Sequence, residues 1–372
     1  MSPQIKPRRR LLVTSIGSLV GQNILDGLAH QRSAFVIVGL NSQPDAASNF
    51  LCDRTYTTPL THSEDFGSRF DAIVAHETPD LIIPGRDDDV VFLAQWASKR
   101  SAVTPLVMVG SPGMASMLRD KWLTCQFAKK HGLPFVKTLC AQDGFEAVRA
   151  LTDAHGWPLV AKPRTGNASR GVVLVGNATE LAVAFAWPGY CFQPWLGTSP
   201  DLSSIRKSLQ CGLPLDWSLP GIEKTSLDGC IAPNGDLIGL FCTHHSHIKM
   251  GRSERVQVLD TPQAQSILQN YAQALRADGW RGPFNIQLGT TPDGHLLAFE
   301  INGRFTGSSA TLRYLGLDFV QAAMAAFVGP LDSNPETTLP VQRVDKRLRD
   351  WPMPDLAMNE LNQAGMWTRN TE

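Results

Sequence analysis

The stretch FNIQLGTTPDGHLLAFEINGR, residues 284–304, decides how the chain is read. Two runs of alternating apolar and polar residues flank Thr291-Pro292-Asp293-Gly294, and a Pro-Asp-Gly between such runs predicts a tight β-hairpin. A turn closed by Thr291 and Gly294 sets Gln287 opposite Ala298 and Asn285 opposite Glu300. Strand side chains alternate faces, so Asn285, Gln287, Ala298, Glu300 and Asn302 share one side. Phe284, Ile286, Leu288, Leu297, Phe299 and Ile301 share the other. The ribbon thus has an apolar back and a front of amide and carboxylate oxygens. Hard cations such as Mg²⁺ take ligands of this kind and keep sites for phosphate oxygens. A half-buried hairpin whose polar face is merely hydrated gives the same pattern.

Working outward, 372 residues suffice for two or three lobes with their own cores. The 34 basic and 34 acidic residues cancel, so no overall field favours nucleic acid or an anionic membrane. No apolar run reaches the roughly 18 residues of a membrane span, and no signal peptide precedes the first strand. The seven cysteines are scattered without a CxxC pair, which points to reduced thiols and a cytoplasmic protein rather than a disulfide framework. Three histidines, His244, His245 and His247, lack a thiol or a spaced carboxylate and read as a polar strand rather than a zinc site.

Short apolar strands near residues 11–15, 35–40, 81–84 and 106–109 alternate with helical stretches, a βαβ series that predicts a parallel sheet covered on both faces. Gly17-Ser18-Leu19-Val20-Gly21 is G-x-x-x-G, not the dinucleotide fingerprint G-x-G-x-x-G, so a nicotinamide or flavin site is the weaker reading. Arg86, Asp87, Asp88 and Asp89 follow the third strand, where open α/β sheets place ligands; an acidic first helical turn accounts for the same residues. Further on, Lys162-Pro163 ends a strand that breaks into RTGNASRG, residues 164–171. That is a glycine-rich flap whose N–H groups and Ser169 hydroxyl can face phosphates, with Lys162 beside it as a point charge. Residues 198–222 read as an inserted loop, 308–328 as a long helix, and the last forty residues carry no functional signal.

Asp120-Lys121, then Lys162-Pro163-Arg164 with the glycine flap, then Gln287 with Glu300 and Asn302, form an ordered set. With TSIGSLVGQNILDGL, IIPGRDDDV and FEINGRFTG, this set resembles the ATP-grasp superfamily of carboxylate–amine ligases. The likeness is to the branch of carbamoyl-phosphate-synthase-like proteins and the pyrrolysine-biosynthesis ligase, over residues 10–330. It implies an N-terminal parallel α/β domain (1–116), a small α+β lid lobe (117–196) and a C-terminal α+β lobe (197–372), the two lobes enclosing ATP. By the same resemblance, Lys121 and Lys162 match phosphate-binding lysines, and Arg164, Gly166, Ser169 and Gly171 the flap. Gln193, Trp195 and Leu196 match the segment along adenine; Glu223, with Asp201 as rival, matches the ribose ligand. Gln287, Glu300 and Asn302 match the Mg²⁺ ligands, and Arg304 a basic residue acting with Lys162 on the phosphate. Lys249 and Arg252 align loosely beside the γ-phosphate. The implied function is ATP-dependent activation of a small-molecule carboxylate as acyl phosphate and its joining to an amine, by a monomer or homodimer. Arg86, Asp88, Asp89 and Arg313 are the candidate substrate residues. A non-catalytic nucleotide binder of the same fold and a Rossmann-type oxidoreductase are the other readings.

Overall fold

The computed structural model describes residues 8–100, 106–166, 169–198, 200–210, 222–249, 251–330, 340–347 and 350–369. Three sheets carry the architecture. The first runs in the order Met366–Thr368, Arg54–Thr57, Phe35–Asn41, Arg9–Val13, Leu81–Ile83, Leu106–Val107, all parallel except the first-named strand. The sequence predicts four of these strands. Arg54–Thr57 is too short and polar to stand out, and Met366–Thr368 returns from the far end of the chain. Residues 350–369, grouped by sequence with the C-terminal lobe, therefore pack on the N-terminal sheet. There Trp367 meets Phe50 edge-on at 5.2 Å.

The first helix, Leu19–Leu28, starts where Ser18 Oγ accepts the Gly21 N–H. A Cβ on Gly21 would lie 2.6 Å from Ile16 Cα and 2.7 Å from Ser15 O. The glycine pair therefore lets helix and strand close on each other, a packing reason that requires no dinucleotide.

The lid lobe is a four-stranded antiparallel sheet ordered Leu139–Cys140, Tyr190–Pro194, Leu159–Pro163, Val173–Val175. It has its own apolar cluster, including Val148, Leu159, Leu181 and Phe192. The C-terminal lobe is a six-stranded antiparallel sheet ordered Leu296–Asn302, Gly282–Thr290, Lys224–Ile231, Leu237–Lys249, Arg252–Val258, Arg343–Asp345. Its apolar back joins the N-terminal domain in one core in which Trp280, Tyr271, Phe284 and Ile286 are fully buried. That shared core fixes where the polar front of the large sheet faces.

Two sequence expectations change here. The stretch 308–328 is not one helix: a 3₁₀ turn, Ser309–Leu315, ends at Gly316 with φ +107°, and Asp318 caps a second helix, Phe319–Val328. Only glycine adopts that φ readily, so the helix cannot run through. In the insertion at 198–222, residues 202–210 form an amphipathic helix, Leu202–Gln210, while residues 199 and 211–221 lie outside the described residues, as do 167 and 168 of the flap.

Candidate functional site

The hairpin presents Asn285, Gln287, Glu300 and Asn302 on one face, but in a different register from the expected one. Asn285 stands opposite Asn302 and Gln287 opposite Glu300; Leu288 then pairs with Ala298, leaving Phe299 as a bulge. Ala298 moves to the buried side, fully covered, where its N–H and C=O bond Pro134 O and Val136 N–H. The bulge turns the Phe299 carbonyl towards the lid lobe. Lys162 Nζ donates to it at 3.1 Å and lies 5.1 Å from the Phe299 ring centre. Lys121 opens the helix Lys121–Lys130, capped by Asp120, and its Nζ lies 3.3 Å from Glu300 Oε1 and 3.3 Å from Gly166 O. Residues far apart in sequence thus converge: Lys162 of the lid sheet and Lys121, whose helix packs on the main core, meet at the hairpin of the large sheet.

The three oxygen-bearing side chains each face a cation. Glu300 faces Lys121, Gln287 Oε1 accepts from Lys224 Nζ at 3.3 Å, and Asn302 Oδ1 accepts from Arg304 at 3.1 Å. Arg304 is also paired with Asp87, at 3.0 Å. Burial opposes ionisation of Glu300, but Lys121 and Lys162 outweigh it and hold the carboxyl below its ordinary range. Burial pulls Lys162 down to about 8, against the pull of Glu300 in the other direction. Four cations against two carboxylates leave this cluster net positive. It suits a divalent cation arriving with a polyphosphate rather than alone. Among the described residues no group of three or more His, Cys, Asp or Glu could hold a metal; the oxygen set here has one carboxylate and two amides.

In front of the cluster lies a cavity of about 1120 Å³. One wall is the polar sheet face, with Gln287, Glu300 and Asn302; the other is the ends of the first-sheet strands, with Ser15, Gly17 and Arg86. Ligands of open α/β sheets bind at such strand ends, where the order reverses. Ser169 reaches this cavity from the flap.

Other candidates sit elsewhere. Arg164 closes on Asp120 (2.6 Å) and lies over the Trp122 ring, so it roots the flap instead of facing the cavity. Gly166 offers its carbonyl to Lys121, and Gly171, at φ +72°, offers its own to Tyr190. The Gln193 amide is buried and donates to Thr138 at 2.8 Å, its N–H also 3.4 Å from Phe299 O. Its side chain is thus a brace, and the chain after it, Trp195 and Leu196, runs back over the hairpin, Leu196 against Gly289. Glu223 is exposed, 3.5 Å from His244, and Asp201 is spent capping Ser203 and Ser204; neither reaches the cavity. Asp89 is buried under Thr14 (2.7 Å) and Thr61 (2.6 Å), and Asp88 is held by Arg119 at 2.7 Å, so both belong to the helix start and not to the cavity. Arg313 stands on the far 3₁₀ turn, 3.8 Å from Asp318. Lys249 pairs with Glu254 at 3.1 Å, and Arg252 lines the cavity.

Sequence reasoning missed Lys224, Asp87 as partner of Arg304, and Lys346. Lys224 carried a signal: in KTSLDGCI, Lys224, Ser226 and Asp228 alternate onto the face that pairs with Gln287 and Asn285. On that face Asp228 is buried and bonded by Asn285 at 3.0 Å; burial pushes its carboxyl up to about 6.

No family model matches this sequence. Solved structures do match it. An N5-carboxyaminoimidazole synthetase from Staphylococcus aureus, complexed with ADP, aligns with 91% of this chain and 81% of its own at a TM-score of 0.66 and 13% identity. A biotin carboxylase from Campylobacter jejuni, complexed with a β,γ-ATP, aligns with 90% of this chain and 73% of its own (TM-score 0.63, 15% identity). The biotin carboxylase domain of a Hydrogenobacter thermophilus 2-oxoglutarate carboxylase, with MgADP and bicarbonate, gives 87% and 70% (TM-score 0.64, 15% identity). The chain shares their architecture over nearly its whole length: it has the ATP-grasp fold.

Proposed function

We propose that the protein is an ATP-dependent ligase that activates a small-molecule carboxylate as an acyl phosphate and joins it to an amine, releasing ADP and phosphate. The observation that carries this reading is the meeting of Lys162 of the lid sheet and Lys121 with the Glu300 hairpin of the large sheet, beside a large cavity. A carboxylate is a poor acyl donor until its oxygen is phosphorylated. Phosphoryl transfer asks the protein for in-line placement and for charge around three phosphate oxygens. Lys121, Lys162 and Arg304 supply that charge, and no protein nucleophile is required. Gln287, Glu300 and Asn302 are the residues that would hold Mg²⁺, which when bound neutralises phosphate oxygens. To accept it, Lys121 must turn from Glu300 to the incoming phosphates, and Lys224 must release the Gln287 amide. The flap at 164–171 then covers the site and keeps water from the acyl phosphate. Among the described residues no helix is long and apolar enough to cross a membrane. The partners proposed are a small acid and an amine, with the chain working as a monomer or homodimer in the cytoplasm.

The test is product analysis. With ATP, Mg²⁺ and panels of acids and amines, the protein should release ADP and phosphate only when both partners are present. AMP and pyrophosphate as products would overturn the reading. Glu300→Ala should abolish that turnover; a non-catalytic nucleotide binder would have none to lose and would show ADP binding alone. The oxidoreductase reading gains nothing from the G-x-x-x-G turn, whose second glycine is required by the helix–strand approach.

A further inference from the structure

Lys121 and Lys162, set behind Glu300 and Phe299, and Arg304 on the cavity wall are assigned to a nucleotide's phosphates; two more lysines, Lys224 and Lys346, line that cavity. Lys224, half-buried on the strand Lys224–Ile231, touches only the neutral Gln287 amide, at 3.3 Å. Lys346, just beyond the strand Arg343–Asp345, donates to Gly307 O and to Ser308 Oγ at 2.9 Å, again neutral groups. Among the described residues no carboxylate comes within ion-pair distance of either; Glu300 and Asp228 act on Lys224, and Asp26 on Lys346, only from further away. Burial and then the charge of Lys224 push Lys346 down to about 8. The cavity wall beside them offers hydroxyl groups, and the carboxylates on that wall, Asp26, Glu254 and Glu300, make no ion pair with either lysine. The His245 imidazole, fixed by Thr243 at 2.9 Å and Ser253 at 2.8 Å, is kept neutral by burial and by both lysines. Ser253 and Ser308 line the cavity with it.

Two half-buried ammonium groups with neutral partners are unfavourable until an anion joins them. We propose that Lys224 and Lys346, with the hydroxyls of Ser253 and Ser308, form a binding site for an anionic group of the substrate, a phosphate or a carboxylate, separate from the site of the nucleotide phosphates. The substrate is then a polyanion whose charged group is seated on the large sheet, while the rest extends across the cavity towards Arg86. Assigning the anion to a ligase substrate rests on the reading above; the site's affinity for an anion does not.

The experiment uses the full chain and needs no identified substrate. Thermal unfolding and calorimetric titration are run with inorganic phosphate, with succinate, and with chloride at matched ionic strength, each with and without saturating MgADP. Phosphate or succinate should raise the melting temperature where chloride does not, and the shift should persist on top of that from MgADP. Phosphate acting more strongly than succinate identifies a phosphorylated substrate, and the reverse a dicarboxylate. Lys224→Met and Lys346→Met should each weaken the anion roughly tenfold to a hundredfold, the worth of one charge-assisted hydrogen bond. Relieved of an uncompensated charge, Lys346→Met should also melt no lower than the parent without anion. Should either variant fail to fold, Ser253→Ala and Ser308→Ala give the same test with a smaller loss. The proposal is overturned if neither anion acts beyond chloride, if MgADP abolishes the effect, or if the folded variants bind the anion unchanged. A protein that binds phosphate additively but releases no ADP in any acid and amine panel would keep the anion site and lose the ligase.

Discussion

Lys162 illustrates how one side chain is tuned by its place. It projects from the lid strand Leu159–Pro163 onto a carbonyl of the opposite lobe, and burial lowers its pKa to about 8. A lysine so lowered keeps its proton at neutral pH and loses it as pH rises through about 8, so the sign is fixed: nucleotide affinity is highest below that value. A bound polyphosphate favours the charged form and moves the loss to higher pH. Titration of MgADP from neutral to alkaline pH should therefore show weakening above about 8. Lys162→Met should lower affinity roughly tenfold to a hundredfold at neutral pH, the worth of a charge-assisted hydrogen bond, and flatten that pH dependence. A Lys162→Met protein with an unchanged alkaline loss would place the titration on another group.

At the scale of the element, Asp120 joins two pieces of the lid. Its Oδ1 accepts from the Trp122 and Leu123 N–H groups, capping the helix Lys121–Lys130, and its other oxygen holds Arg164 at 2.6 Å at the root of the flap. Asp120→Ala should cost about 1 kcal/mol for the cap. It should also release Arg164, so that trypsin cuts the flap faster than in the parent. Asp120→Asn keeps a cap oxygen but not the ion pair, so it should recover stability while the flap stays loose. Limited proteolysis and thermal melts separate the two effects. The hairpin shows how far elements were legible. Its two strands and its polar face follow from alternation alone, but its register does not. A two-residue hairpin turn needs φ above zero at its first central position, which Pro292 cannot adopt. Thr291 therefore pairs with His295 around a three-residue loop with Gly294 at φ +86°, and the Phe299 bulge adds one further step. Proline chemistry explains the first correction, which a turn closed by Thr291 and Gly294 overlooks; nothing local marks the second, because the Phe299 carbonyl meets Lys162, which lies far away in sequence.

Across the whole molecule the same limit holds. The βαβ order made the first sheet readable, whereas the docking of Met366–Thr368 onto it depends on a contact with Arg54–Thr57 that no periodicity announces. Lys346 acquires meaning only when the first and large sheets face one cavity, and Lys224, legible in its strand's alternation, gains its partner Lys346 only there. Charge balance at that convergence gives a last prediction. Lys121, Lys162, Lys224 and Arg304 outnumber Glu300 and Asp87, and the oxygens expected to bind metal are already taken up by cations. A free divalent ion entering this field meets net repulsion and must displace two lysines with nothing to receive them. A nucleotide polyphosphate reverses both terms: it draws Lys121 off Glu300 and brings its own anionic ligands to the ion. Mn²⁺ used as a paramagnetic stand-in for Mg²⁺ should therefore bind weakly or not at all alone, and tightly once ADP is present. Glu300→Gln should abolish the ADP-dependent binding, because the sole carboxylate of the set is gone. Electron paramagnetic resonance of free Mn²⁺ measures both arms, and equal binding with and without ADP would contradict a metal site completed by the nucleotide.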